Sequence, residues 1–171
     1  MGESLFKTKT VESKRLRILK ISADGADKFE GMAFTYNVMK YTAGKALTTQ
    51  EAIERYVWLS DEPYLGNYFV ILKETEQTVG IAKIAEDGVN TIEIGYSLFE
   101  AFWGAGLGTE LAQLLIDFSN NNLSPQVMTA YTDPRNVASQ RVLEKVGFQK
   151  IAEKERRQGI MSYFYEMKVP K

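Results

Sequence analysis

The sequence predicts an α/β chain of the α+β type, with about seven strands in one mixed, mostly antiparallel sheet and about four helices. Three observations carry that expectation. Apolar residues alternate at period two in short runs, most clearly Ile92, Ile94, Tyr96 and Leu98. Other apolar residues recur at helical spacing, above all Leu107, Leu111, Leu114, Leu115 and Phe118. Capping and turn residues separate the two kinds of run, and no repeat, linker or low-complexity stretch interrupts them. Residues 1–171 therefore read as a single domain.

Residues 1–9 are polar and read as a loosely held terminus. Arg15–Lys20 predicts a first strand with Leu16 and Ile18 on one face. Ser22 is placed to cap a helix carrying Ala26, Phe29 and Ala33. Residues Phe34 to Leu47 show less order. Thr48-Thr-Gln-Glu51 is a capping box that opens a helix with Ala52, Ile53, Tyr56 and Val57 inward. Asp61 to Gly66 reads as a loop. Tyr68–Lys73 and Thr78–Ala85 read as an antiparallel pair, and the Asp87-Gly88 turn leads into a strand over Thr91–Leu98. The helix that follows should stop near Asn120–Asn122. Val127–Tyr131 is the fifth strand. Asn136 caps a helix carrying Ala138, Val142 and Val146, and Gly147 ends it. Phe148–Glu155 and Ser162–Val169 complete the sheet.

Composition bounds the function. Hydrophobic residues make up 44% of the 171 and charged residues 25%, ordinary for a globular domain. With 21 basic and 22 acidic residues the net charge is −1, so no global field selects nucleic acid or an anionic membrane as a partner. The chain has no cysteine and no histidine. That excludes disulfides, thiolate metal sites and a cysteine nucleophile, removes the commonest metal ligand and general base, and leaves no metal expected. Acid-base work falls to carboxylate, hydroxyl, phenol, amine or water. No signal-peptide core or membrane-length apolar run is present, so a cytoplasmic protein is expected.

The Thr91–Leu98 strand runs through a short loop into Gly104, Gly106 and Gly108, and then directly into the Leu107–Phe118 helix. A helix N-terminus offers unpaired N–H groups and a partial positive charge, and glycines let an anion approach them. The stretch reads as a site for a phosphate-bearing ligand; a connection rich in glycine for packing alone is the competing reading. A P-loop needs Lys and Ser/Thr after its last glycine, and Thr109-Glu110 stands there instead. A dinucleotide fingerprint needs a third glycine at 109 or 111, where Thr109 and Leu111 stand. Both motifs fail.

Trp103-Gly-Ala-Gly-Leu-Gly-Thr-Glu110 resembles the acetyl-CoA loop of the GNAT superfamily of N-acetyltransferases. The general form is Gln/Arg-x-x-Gly-x-Gly/Ala; Gly106 and Gly108 match, and Trp103 replaces the Gln/Arg. The departure fits the branch of ribosomal-protein N-terminal acetyltransferases. Asn136-Val-Ala-Ser-Gln-Arg-Val-Leu-Glu-Lys-Val-Gly-Phe148 resembles the same branch's Asn-x-x-Ser-x-x-x-Leu-Glu-Lys-x-Gly-Phe. The predicted element order is also that of the superfamily.

The resemblance implies a sheet whose fourth and fifth strands splay apart to admit the pantetheine arm of acetyl-CoA, the acetyl donor. It implies cofactor contacts from Tyr96, Ser97 and Leu98, from Trp103, Gly104, Ala105, Gly106, Leu107, Gly108 and Thr109, and from Asn136 and Ser139. Arg141 or Lys145 would face the 3′-phosphate, with surface solvation explaining them equally well. Tyr36, Tyr41 and Tyr64 would lie over the acceptor cleft. Glu93 is the candidate base, with a solvated carboxylate on a half-exposed face as the alternative. Ser139 is the candidate donor to the leaving thiolate, because Leu143 stands where many superfamily members carry a tyrosine.

The implied function is transfer of acetyl to a primary amine by direct attack in a ternary complex. An α-amine near pKa ~8 needs roughly 1 kcal/mol to be neutral at pH 7, and a lysine near ~10.4 about 4–5. A weak base thus suits a protein or peptide N-terminus. The alternatives are a small-molecule amine (polyamine, amino acid or aminoglycoside-like) and a non-catalytic CoA-binding regulatory domain. The amine substrate is the expected partner, and a homodimer stays open as an assembly.

Overall fold

The computed structural model describes residues 11–58 and 60–171; the expectation for residues 1–9 lies outside them. Seven strands form one sheet: β1 (Leu16–Lys20), β2 (Gly66–Leu72), β3 (Gln77–Glu86), β4 (Thr91–Leu98), β5 (Val127–Thr132), β6 (Gln149–Arg157) and β7 (Ile160–Lys168). Their order across the sheet is β1-β2-β3-β4-β5-β7-β6. Every neighbouring pair is antiparallel except β4 and β5. That parallel pair needs a long crossover, which is helix α3 (Leu107–Leu123). The other helices are α1 (Tyr36–Met39), α2 (Thr49–Tyr56) and α4 (Val137–Lys145).

The period-two pattern of β2 divides the two cores, Tyr68 and Val70 facing one and Phe69 and Ile71 the other. Ile92 and Ile94 pack with Leu111, Leu114, Leu115 and Phe118 of α3 on one face of the sheet. On the other, Phe69, Ile71 and Ile81 pack with Phe29, Phe34, Met39 and Ala52. Pairing of β4 with β5 covers only Thr91–Val127, Ile92–Met128 and Glu93–Thr129. Beyond Glu93 the strands part, while β4 stays paired with β3 as far as Leu98. The sheet therefore carries a fork, and the β5-facing backbone groups of Ile94 to Leu98 have no strand partner.

The capping box forms: the Thr48 hydroxyl accepts from the Glu51 N–H at 3.2 Å, and the Glu51 carboxylate accepts from the Thr48 N–H at 2.8 Å. Ser22 does not cap. Its segment is a 3-10 helix over Ala23–Phe29 with no side-chain cap bond. Asp24, Gly25 and Asp27 are poor α-helix formers, and the tighter turn still buries Phe29. Helical order appears instead at α1, a single turn capped by Thr35. In α4 it is Leu143 that is buried, whereas Ala138 and Val142 line a cleft. The outer edge strand β6 is mostly exposed and charged, which discourages pairing with another sheet. No helix among the described residues is long and apolar enough to cross a membrane.

Candidate active site

The site is built where β4 hands the chain to α3. Gly104 and Gly106 adopt φ of 78° and 76°, in the left-handed region that glycine enters at no steric cost. Gly106 is the residue preceding α3, and no side chain caps the helix. The first-turn N–H groups of Leu107, Gly108 and Thr109 thus face outward at the positive end of a 17-residue helix. Trp103 ties the loop back to the strand, its indole N–H donating to the Leu98 carbonyl at 2.8 Å.

A brace that the sequence reading did not detect holds this loop. The Glu110 carboxylate accepts from the Ser13 hydroxyl at 2.6 Å, the Arg15 backbone N–H at 2.6 Å and Arg15 Nε at 2.6 Å. Arg15 Nη1 donates to the Ala105 carbonyl at 2.8 Å. Burial alone would raise the Glu110 carboxyl, but the Ser13 and Arg15 bonds outweigh it and hold the group below the ordinary carboxylate range. A residue whose charge would otherwise oppose an anion at the helix start is thereby partnered.

Between the end of β4, the glycine loop, α1 and the start of α4 lies a cleft of about 520 Å³. Tyr96, Ser97, Leu98, Trp103, Gly104, Gly106, Leu107, Gly108, Thr109, Asn136 and Ser139 all line it. Ala105 and Arg141 do not: Ala105 gives its carbonyl to Arg15, and Arg141 is exposed on α4 away from the cleft. Lys145 lines a separate groove between α3 and α4, with Thr109 and Glu110. Asn37, Lys40, Tyr41, Arg135 and Val142 join the cleft wall without having been singled out for the cofactor. Asn136 caps α4 by accepting the Ser139 N–H at 3.2 Å.

Tyr96 stands on the cleft wall beyond the fork. Its hydroxyl oxygen is buried and has no hydrogen-bond partner. Burial pushes the phenol up to about 12, against a smaller downward pull from Ser139.

Glu93 departs from the half-exposed setting expected of it. It is 6% exposed and lies outside the cleft lining. Lys83 Nζ donates to it at 2.7 Å, and Arg156 donates to both carboxylate oxygens at 2.8 Å. The Arg156 guanidinium also stacks 3.8 Å from the Tyr131 ring centroid. Asp87 accepts from Thr129 at 2.6 Å and from Tyr131 at 3.2 Å. The small polar face of β4 is therefore closed by a cation from β6.

Of the three tyrosines assigned to the acceptor, Tyr41 lines the cleft, with Arg135 and Lys40 over its ring at 5.5 and 5.0 Å. Tyr36 is exposed on α1, whose Asn37 and Val38 reach the cleft. Tyr64 is elsewhere. It packs edge-on against Phe118, 6.0 Å between centroids, toward the far end of α3. An aromatic residue in a loop is drawn to the nearest uncovered core, and here that is the α3 side of the sheet.

The arrangement suits one kind of ligand. An uncapped helix start receives phosphate, the splayed strand offers backbone groups to an amide-bearing arm, and the orphaned Tyr96 hydroxyl waits on a polar atom. The chain matches the acetyltransferase (GNAT) domain family over residues 15–149. It is 31% identical over 156 residues to a Bacillus subtilis protein named "Probable N-acetyltransferase YjcK", covering 85% of this chain and 84% of that one. It is 28% identical over 147 residues to "Uncharacterized N-acetyltransferase p20" of Bacillus licheniformis, covering 82% and 83%. The crystal structure of a GNAT-family acetyltransferase from Bacillus anthracis shares the fold, with a TM-score of 0.76 at 22% identity, over 94% of this chain and 98% of that one.

The chain belongs to the GNAT family of acetyltransferases. It is an acetyl-CoA-dependent N-acetyltransferase acting on an amine-bearing substrate.

Proposed function

We propose that the acceptor is an α-amine, the free N-terminus of a protein or peptide, and that the enzyme sits with the ribosomal-protein N-terminal branch of the family. One observation carries the reading. The carboxylates on the elements flanking the fork already have partners: Glu93 with Lys83 and Arg156, Asp87 with Thr129 and Tyr131, Glu100 with Thr35 and Asn37, Asp133 with Arg135. No free carboxylate among these is left to strip a strongly basic amine or to receive a second ammonium. An α-amine near pKa ~8 is partly neutral at working pH and needs neither. The loop from Trp103 to Glu110 and the Asn136–Phe148 stretch support the branch.

Each residue then has a task. The N–H groups of Leu107, Gly108 and Thr109 hold the pyrophosphate, and the Asn136 amide and the free edge of β4 hold the pantetheine arm. Acetyl-CoA supplies an activated acyl group. Tyr41 and the α1 turn border the amine's approach. Glu93 serves as the anchor that fixes Arg156 and Lys83 beside the fork, and solvent takes the amine's proton. Ser139 faces the leaving sulfur. The two substrates are held together, which is the main contribution to rate.

An acceptor panel tests the assignment. Free-N-terminal peptides should release thiol from acetyl-CoA, while spermidine and free amino acids should not. Turnover on polyamines with none on peptides would overturn it.

A further inference from the structure

The cleft wall carries charge of one sign. Among the described residues that line it, Lys40 and Arg135 are the charged ones, and neither Asp nor Glu joins them. Both stand over the Tyr41 ring, 5.0 and 5.5 Å from its centroid. A third cation reaches the same corner from β6, where Arg157 donates to the Thr42 carbonyl at 2.9 Å. The end of α1, the connection from β5 to α4 and the far end of β6 thus converge on Tyr41 and Thr42. The nearby carboxylates do not cancel them. Asp133 accepts from Arg135 Nε at 3.0 Å and Nη2 at 2.8 Å, which leaves Nη1 without a partner among the described residues. Glu100 gives its two oxygens to Thr35 and Asn37 at 2.7 and 2.8 Å, and Lys40 is the least of the influences on it. Among the described residues, neither Lys40 nor Arg157 forms an ion pair.

We propose that the peptide acceptor is acidic: a carboxylate on its second or third residue is received at Tyr41 by Lys40, Arg135 and Arg157 while the terminal amine reaches the fork. Like charges gathered at one surface repel, and an anion among them turns that cost into attraction. The pyrophosphate of acetyl-CoA is not that anion, because its place is at the N–H groups of Leu107, Gly108 and Thr109, whereas Tyr41 borders the amine's approach. Lys40 and Arg135 line the cleft and meet the carboxylate directly. Arg157 stands outside the lining, adds its charge and ties β6 to the Thr42 backbone. The same cations repel a polyamine or a lysine-rich terminus, so selection works by an unfavourable contact as well as a favourable one.

This rests on a peptide α-amine being the acceptor, and the test separates the two claims. C-terminally amidated peptides of one sequence carry aspartate, alanine or lysine at the second and third positions, and free aspartate supplies a carboxylate without a peptide. Thiol release gives kcat and KM for each at about 20 mM and about 0.5 M salt. At low salt the KM for the aspartate peptide should lie at least about fivefold below that for the alanine peptide, with the lysine peptide poorest, and high salt should narrow the gap. Lys40→Gln should raise the KM of the aspartate peptide at least about threefold, Lys40→Arg should restore it, and calorimetric acetyl-CoA affinity should hold within about twofold in both. Equal KM values for the three peptides, or a preference for lysine, would overturn the proposal and leave the α-amine assignment standing. Acetylation of free aspartate with none of any peptide would overturn that assignment and the proposal with it. Weakened acetyl-CoA binding in Lys40→Gln, with the aspartate preference intact, would put this cation on the cofactor and overturn the proposal.

Discussion

Arg15 and Glu110 join the start of the sheet to the first turn of α3. The guanidinium donates through Nε to the carboxylate at 2.6 Å and through Nη1 to the Ala105 carbonyl at 2.8 Å. The same pair fixes the helix and the glycine loop ahead of it. Glu110→Gln should lower stability by about 1–2 kcal/mol, since it leaves a partly buried Arg15 without its anion. It should also weaken acetyl-CoA binding several-fold, because the loop loses its brace. Urea unfolding and calorimetry read the two effects.

The same carboxylate sets part of the acid response. Its folded-state pKa lies below the ordinary value. A depressed carboxyl contributes stability that is present above the unfolded-state pKa, near ~4.3, and is lost as pH falls through the folded value. The native chain should therefore lose stability more steeply than Glu110→Gln as the pH drops from about 5 to 3. Parallel slopes would contradict the role given to Glu110.

Gly106 needs its left-handed φ of 76° more than it needs space, for a Cβ there would meet only Arg15 Nη2, at 3.6 Å. Gly106→Ala should cost about 1–2 kcal/mol through backbone strain. By turning the first N–H groups of α3, it should weaken acetyl-CoA at least tenfold. A thermal-shift titration measures both.

Glu93→Gln should cost about 1–3 kcal/mol, because Lys83 and Arg156 lose a shared anion at a site where Glu93 is only 6% exposed. The pH dependence of kcat/KM should stay where the acceptor's own amine places it. A profile whose acid limb disappears in the variant would instead make Glu93 the base.

At the alkaline end the Tyr96 phenol, raised from 10.0 to about 12 by burial, keeps its proton where the unfolded chain loses it. Its contribution is whole below pH 10 and is lost as the pH rises toward 12. Tyr96→Phe should flatten that fall, leaving the part due to Tyr56, Tyr68, Tyr131 and Tyr165, whose phenols burial also raises. Denaturant midpoints across this range decide it.

The sequence made the strand, loop and helix from Thr91 to Phe118 legible because each signal there is local: alternation, glycine spacing and an amphipathic stripe. The Thr48–Glu51 and Asn136 caps were readable for the same reason. What escaped was non-local. Arg15 meets Glu110 across 95 positions and Arg156 meets Glu93 across 63, and only the sheet order brings them together. Glu93 thus read as a free carboxylate on a polar face, whereas a strand from the far edge closes that face. Tyr64 went to the core for a similar reason, since a loop aromatic carries no signal of which side of the sheet it will join. Ser22 failed because a cap residue describes a start, and the residues after it decide whether an α-helix follows.

The most direct test of the α-amine assignment uses one peptide carrying both a free N-terminus and an internal lysine. After incubation with acetyl-CoA, fragment-ion mass spectrometry locates the added acetyl. The account predicts acetyl on the N-terminal nitrogen, with an N-terminally blocked copy of the same peptide left unmodified. Acetyl on the lysine side chain of either peptide would contradict it.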